Sequence, residues 1–380
     1  MKRVVILGAS GSIGLQTVEV IREHRDKFAI VGIAVKENIL TLKELAEEFK
    51  PPYLAVYNSN IEIPSFSYNP RILFGREGIE FLASLEDIDL VIIAISGLEA
   101  IYPTKKAILS NKKIALATKE VIVTCGKFFK EWLKNSKSEI IPIDSEHSAI
   151  FQLFSDRKGE VERIILTASG GPFFGKEEKY IENAEIDEVL NHPRWRMGKK
   201  TTIDSANLVN KALEIVEAHY LFNLPYEKID VLIHPQSIVH GIIELIDGSL
   251  IAYLSPTDMK FAIQYALFYP ERINYKWRKL DLRDMRLDFY PVDDQFPIIK
   301  YLYEVVKKGD VFPAILAISD EIFVSQFLKG NIKFSQIVPL IIKVMENWKG
   351  KNEIEGEEDL LELIAWTEKE AINLIKKYGK

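Results

Sequence analysis

Hydrophobic and polar positions alternate in blocks along the first part of the chain. Short apolar runs stand at Val4–Leu7, Ala29–Val35, Tyr53–Tyr57, Leu90–Ile95, Ile114–Ala117 and Ile140–Ile143. Most are β-branched and too short for helices, as strands buried on both faces are. Stretches of helical spacing lie between many of them, at Ile13–Glu23, Leu40–Phe49, Glu99–Leu109 and Lys127–Lys134. This alternation predicts a doubly wound α/β domain with a parallel sheet over residues 1–146. The Pro-containing stretch Asn58–Pro70 reads as an interruption. The pattern then changes. Val161–Ala168, Val231–His234, Ile238–Leu245 and Ser249–Leu254 predict longer strands around one strong helix, Ala206–Phe222, giving a central α+β domain over 147–275. The polar segment Lys276–Asp288 opens a predicted linker, 276–296. From 297 to 380 the periodicity is helical, at Pro297–Lys307, Pro313–Phe327, Ile337–Trp348 and Leu360–Lys376, with Gly309, Gly330 and Gly350 as punctuation. A C-terminal α-helical domain is expected there.

Composition narrows the class. At 380 residues the chain exceeds what one core of about 250–300 residues supports. With 47% hydrophobic and 27% charged residues it is built to fold. The 49 basic against 55 acidic residues give a net charge of −6, which argues against a nucleic-acid partner. A single cysteine, Cys125, excludes an internal disulfide and a multi-cysteine metal site. The apolar start of MKRVVILG meets Gly8 too soon for a leader, and no uninterrupted apolar stretch approaches about 18 residues, so a cytoplasmic protein without a membrane span is expected.

The turn Gly8-Ala-Ser-Gly11-Ser-Ile-Gly14 leaves the first predicted strand and opens the first helix. Glycines there permit a tight turn and close backbone approach, and a helix N-terminus offers N–H groups to a phosphate. The spacing is G-x-x-G-x-x-G rather than the usual G-x-G-x-x-G, but its position predicts a dinucleotide site. After the second strand comes Lys36-Glu37-Asn38. Lys36 and Asn38 suit the 2′-phosphate of NADP, whereas an inward Glu37 would suit the ribose of NAD.

In Asp144-Ser145-Glu146-His147, carboxylates two apart on a strand would face one way at its carboxyl end, and two hard oxygen donors suit Mg²⁺ or Mn²⁺. On a helix from Ser205 to Glu214, a 100° step gathers Asn207, Asn210, Lys211 and Glu214 on one side. That face is either merely wet or a ligand cluster, with Lys211, Asn210 and Ser205 gripping phosphate and Glu214 a third metal ligand. Ser169-Gly170-Gly171 is a tight turn or an anion loop. Trp195 and Met197 in Asn191–Gly198 are core residues or part of a closing lid. His234 and His240 read as buried, hydrogen-bonded histidines, and Cys125 as a packed thiol.

The motifs GASGSIG, ATKEVIVTCG, PIDSEHSAIFQ, TASGGPF, HPRWRMG, DSANLVNKALEIVEA and HPQSIVH occur in this order, and from Val4 to about His240 the chain resembles the 1-deoxy-D-xylulose 5-phosphate reductoisomerase family. The resemblance implies a Rossmann-like N-terminal domain, a central catalytic and dimerisation domain, and a helical tail. It implies NADPH-dependent isomerisation and reduction of a sugar phosphate to 2-C-methyl-D-erythritol 4-phosphate, by a homodimer with one divalent cation (Mg²⁺ or Mn²⁺, with Co²⁺ as a third candidate). Asp144, Glu146 and Glu214 are the implied metal ligands. Lys119, Glu146 and His192 are the implied catalytic residues. Ser145, Glu146, Ser169, His192, Ser205, Asn210, Lys211 and Glu214 would meet substrate, with His192, Trp195 and Met197 in the closing loop. Gly8, Ala9, Ser10, Gly11, Ser12, Ile13, Lys36, Asn38, Glu120 and Gly198 would meet NADPH. The chain departs from the family pattern at Thr118, Asn207, Glu37 and the segment Ser255–Ile263. Read without the resemblance, the residues also admit a semialdehyde dehydrogenase using Cys125 and a non-catalytic NADPH sensor.

Overall fold

The computed structural model describes residues 1–379 except Ser155 and Arg196, with the Glu178 side chain also outside the description. The chain divides into two compact units. The first comprises Met1–Val121, Phe128–Ser148 and Asp258–Trp277. Its seven strands are β1 (Lys2–Leu7), β2 (Phe28–Val35), β3 (Tyr53–Val56), β4 (Arg71–Phe74), β5 (Leu90–Ile93), β6 (Lys113–Leu116) and β7 (Glu139–Pro142). They lie in the order β4-β3-β2-β1-β5-β6-β7 with every pair parallel. Val4, Val5, Ile6 and Leu7 are wholly buried, which is why the strands read as continuous apolar runs. The order reverses between β1 and β5, and such a switch point opens a ligand crevice at the carboxyl ends of the strands. The expected doubly wound sheet is therefore present. Six strands fall on the predicted runs. β4 is additional: it is an edge strand, half-exposed, and so lacks the apolar continuity that marks the others.

The second unit comprises Ile122–Lys127, Ala149–Thr257 and Arg278–Lys380. Its sheet has the order β11-β10-β8-β9, from β8 (Val161–Ala168), β9 (Ile229–Ile233), β10 (Val239–Leu245) and β11 (Leu250–Leu254). β10 runs antiparallel to β8 and β11, while β8 and β9 are parallel, giving the expected α+β region. Helices Pro297–Val305, Val311–Leu328, Ile337–Asn347 and Glu357–Tyr378 pack together as the expected C-terminal bundle. Val311–Leu328 is long and apolar enough to cross a membrane, but 72% of it is buried within the fold, as in a core helix.

Two local expectations are corrected. The helix predicted over Ala206–Phe222 is two helices, Lys199–Ala206 and Val209–Phe222, broken where Leu208 adopts φ 62°. Asn207 Oδ1 accepts the Val209 amide at 3.0 Å, so this asparagine builds the break instead of sharing a helix face with Asn210. The helix predicted from Lys127 starts at Lys119 and runs to Lys134 across a kink at Gly126.

Candidate active site

The glycine-rich turn follows β1 as expected. Gly8 has φ 90°, and a Cβ there would run into the Ala94 carbonyl. A Cβ at Gly14 would likewise run into the Gly8 carbonyl. The amides of Gly8 and Ala9 donate to Ala34 O at 3.0 and 2.9 Å, which pins the turn to the end of β2. Ser10 follows in the turn. Helix Ser12–Glu23, which includes Ile13, begins after Gly11 with no side-chain cap and no acid in its first turn, so its N-terminus favours an anion. Lys36, just past β2, pairs with Glu99 at 3.0 Å. Glu99 lies in the 3-10 turn Leu98–Ala100 that leads into helix Ile101–Leu109, and it carries no motif signal. Asn38 caps helix Ile39–Phe49 by accepting the Thr41 amide at 3.1 Å, while Glu37 is exposed.

Asp144 and Glu146 are not alternate residues of a strand. β7 ends at Pro142, and helix Ser145–Phe154 starts three residues later. Asp144 precedes that helix and its carbonyl accepts the Ser148 amide at 2.7 Å, while Glu146 lies in the first turn. The strand-to-helix corner still brings the two carboxylates within 4.8 Å of each other, and the helix N-terminus favours their charge. Ser145 Oγ donates to Glu146. Lys119, first residue of its helix and 8% exposed, pairs with Asp144, and His147 Nδ1 lies 3.8 Å from the same carboxylate. Burial works to raise the Asp144 pKa, but the Lys119 ammonium and then His147 outweigh it and hold the group well below its usual range. Glu120 follows Lys119 and is half-buried.

In the second unit, Lys211 pairs with Glu214 and Asn210 Nδ2 donates to Glu214 Oε1 at 2.5 Å. The Lys211 and Glu214 side chains are only 3% and 1% exposed, so this is a sequestered ionic cluster and not a wet helix face. Ser169 follows β8, and its Oγ lies 2.9 Å from His192 Nε2. His192 Nδ1 accepts the amides of Arg194 and Trp195 at 3.2 and 2.9 Å, which places the ring hydrogen on Nε2, donated to Ser169. Burial lowers the His192 pKa to about 4, so the ring is neutral at physiological pH. Ser169 Oγ also accepts the Gly171 amide at 3.2 Å, which leaves its own hydrogen for a further acceptor. A cleft of about 500 Å³ opens beside Ser169, lined also by Pro172, Asn191, Arg194 and Pro235. Trp195 is half-buried edge-on to His240, with ring centroids 5.8 Å apart, and Met197 is half-buried. Arg196, between them in the expected lid, lies outside the described residues. Gly198 immediately precedes helix Lys199–Ala206, which carries Ser205 near its end. Cys125 is buried, 2% exposed.

Three family models cover most of the chain. One for 1-deoxy-D-xylulose 5-phosphate reductoisomerase matches residues 4–126, one for that enzyme's C-terminal domain matches 140–222, and a further DXP reductoisomerase C-terminal model matches 254–370. The 1-deoxy-D-xylulose 5-phosphate reductoisomerase of Sulfurihydrogenibium sp. is 44% identical over 382 residues, covering 100% of both chains. That of Persephonella marina is 45% identical over 379 residues, covering 99% of each. A crystal structure of DOX-P reductoisomerase in complex with NADPH, fosmidomycin and magnesium superposes with a TM-score of 0.91 at 34% identity, over 99% of this chain and 98% of that one.

Proposed function

The chain belongs to the 1-deoxy-D-xylulose 5-phosphate reductoisomerase family, and from that premise we propose a residue-level reading of its active site. The protein is an NADP-dependent oxidoreductase that converts 1-deoxy-D-xylulose 5-phosphate to 2-C-methyl-D-erythritol 4-phosphate in a metal-dependent reaction of isoprenoid-precursor formation. The observation that carries the site reading is the strand-to-helix corner after β7, where Asp144 and Glu146 converge beside Lys119.

From family membership, Asp144, Glu146 and Glu214 are assigned as the ligands of one divalent cation, Mg²⁺ or Mn²⁺ with Co²⁺ as a third candidate. All three donors are carboxylates, the hard oxygen set such ions prefer. A cation held there would supply Lewis acidity to polarise the substrate's carbonyl. The cofactor fits the β1 turn, where Gly8 and Gly14 let the turn pack backbone to backbone against Ala94 and the helix start, and a helix N-terminus stands uncapped. NADPH supplies the hydride. Gly8, Ala9, Ser10, Gly11, Ser12 and Ile13 would cradle its phosphates, with Lys36 and Asn38 beside its 2′-phosphate and Glu120 and Gly198 as further contacts.

The chain's own residues do the rest. Lys119 donates toward the oxygen that gains charge as the substrate rearranges. Ser145 orients Glu146. Ser205, Asn210 and Lys211 hold the phosphate, an anchor away from the reacting carbons whose binding energy fixes their geometry. Neutral His192 holds Ser169 so that the serine hydroxyl points its hydrogen at the substrate. Trp195 and Met197 close over the substrate and exclude water. Residues 1–146 are assigned to cofactor binding, 147–275 to catalysis and dimerisation, 276–296 to a linker and 297–380 to the helical domain. The protein is assigned as a cytoplasmic homodimer with neither nucleic acid nor membrane as partner. The buried state of Cys125 disfavours the semialdehyde-dehydrogenase alternative, which needs an accessible thiolate.

The test follows NADPH absorbance with purified protein, 1-deoxy-D-xylulose 5-phosphate and Mg²⁺ or Mn²⁺, then with EDTA. Substrate-dependent NADPH loss that EDTA abolishes is expected. No loss with either metal from folded protein overturns the reading. Equal use of NADH overturns only the roles of Lys36 and Asn38.

A further inference from the structure

Two of the segments assigned to substrate rest on groups far along the chain. Gly171, two residues after Ser169, has φ 67°, and a Cβ there would stand 2.8 Å from Ser205 O and 2.9 Å from Ala206 Cα. The Ser169 loop therefore lies directly on the backbone that carries Ser205. Phe173, at the end of the same turn, is 2% exposed and packs on Phe334, with ring centroids 5.4 Å apart. The Ser205 helix has its own tie. Lys200 Nζ lies 2.6 Å from Asp204 Oδ2, one residue before Ser205, and also pairs with Asp320. Asp204 is 2% exposed and Asp320 is fully buried, in the middle of the core helix Val311–Leu328. Two carboxylates and one ammonium in an apolar setting cost desolvation free energy that hydrophobic residues of similar shape would not. With both carboxylates buried and Lys200 only 20% exposed, the triad thus adds little stability of its own, and what it offers is a fixed geometry between the helix that carries Ser205 and the C-terminal bundle.

We propose that Asp320 is a positioning residue for substrate binding: through Lys200 and Asp204 it sets the place of Ser205 and the Ser169 loop, so the C-terminal helical bundle aligns the substrate anchor. The inference rests on the assignment of Ser205 and Ser169 to the substrate. Asp320 touches neither of them and acts only through Lys200. The sequence hides this link because the partners are 120 residues apart and each looks like an ordinary charged residue of a helix.

The experiment compares steady-state kinetics of Asp320→Ala and Asp320→Asn with wild type, at saturating Mg²⁺, varying the sugar phosphate and NADPH in turn. NADPH affinity is measured separately by fluorescence titration without substrate. Asp320→Ala is expected to raise KM for 1-deoxy-D-xylulose 5-phosphate roughly tenfold, with kcat within about twofold and NADPH affinity unchanged. Asp320→Asn keeps an oxygen acceptor for Lys200 and is expected to recover most of the loss. If the alanine variant does not fold, Lys200→Gln carries the same test. An unchanged substrate KM overturns the proposal. So does a shift in NADPH affinity as large as that in substrate KM, or an asparagine variant no better than the alanine one. Wild type without substrate-dependent turnover would instead sink the assignment of the reaction, a separate failure visible before any variant is made.

Discussion

Two carboxylates assigned to the same ion are held in opposite ways. Glu214 is met by Lys211 and Asn210 from its own helix, three and four residues away. Asp144 is met by Lys119, which precedes it by a strand and most of a helix and arrives only through the sheet's parallel order. Helical spacing alone brings the first group together, so an amphipathic count over Asn210–Glu214 finds it. No local period relates Lys119 to Asp144. Both carboxylates are sequestered from water and both rest beside an ammonium, so the same electrostatic need is met once by local geometry and once by topology.

The largest expected effect tests that symmetry. Lys211→Met removes the ammonium offsetting a Glu214 that is 1% exposed, at a cost of about 3–5 kcal/mol in unfolding free energy by denaturant titration. Lys119→Met should cost less, because that pair is 10% exposed and His147 remains 3.8 Å from Asp144. Mg²⁺ should restore more stability to either variant than it gives wild type, since a bound cation replaces the missing charge. An equal or larger loss at Lys119 would break the contrast.

A smaller effect separates the two glycine turns. Ala at Gly8 would strike the Ala94 carbonyl, and Ala at Gly171 would strike Ser205, each at a positive φ. Gly8→Ala should weaken NADPH roughly tenfold and leave substrate KM nearly unmoved, and Gly171→Ala should do the reverse. Initial-rate kinetics with each ligand varied would check this, and parallel shifts would show that neither turn serves one ligand alone.

The smallest effect is in pH. His192 takes up its proton at about 4 when folded and near its ordinary 6.5 when unfolded. The unfolded chain therefore binds more protons between those values, and stability falls as pH drops through that window. His192→Asn should flatten the dependence of Tm on pH between about 6.5 and 4. A slope identical to wild type would show that burial of His192 is not held in solution.

Much of this was readable in the chain. Buried parallel strands must be continuous apolar runs, so six of the seven strands in the first sheet announce themselves, while half-exposed β4 does not. The GASGSIG turn is legible because a strand, a glycine turn and a helix follow one another directly. The break at Leu208 was not. The residues around it keep helical apolar spacing, and only the Asn207 side chain bonding to the Val209 amide fixes the interruption. The pairing of Asp144 with Glu146 was expected for the wrong reason. A strand and a strand-to-helix corner both place residues two apart side by side, and the pattern Asp-Ser-Glu does not distinguish them.

By itself the sequence determined most of the elements, the layered α/β start, the family and the residue types of the site, because strand and helix periodicity and phosphate-turn chemistry are local properties. Tertiary structure alone decided which ammonium meets Asp144, that Lys36 reaches Glu99, and that Asp320 of the C-terminal bundle grips Lys200. Those pairings follow from strand order and helix packing, which bring together residues that no spacing along the chain relates.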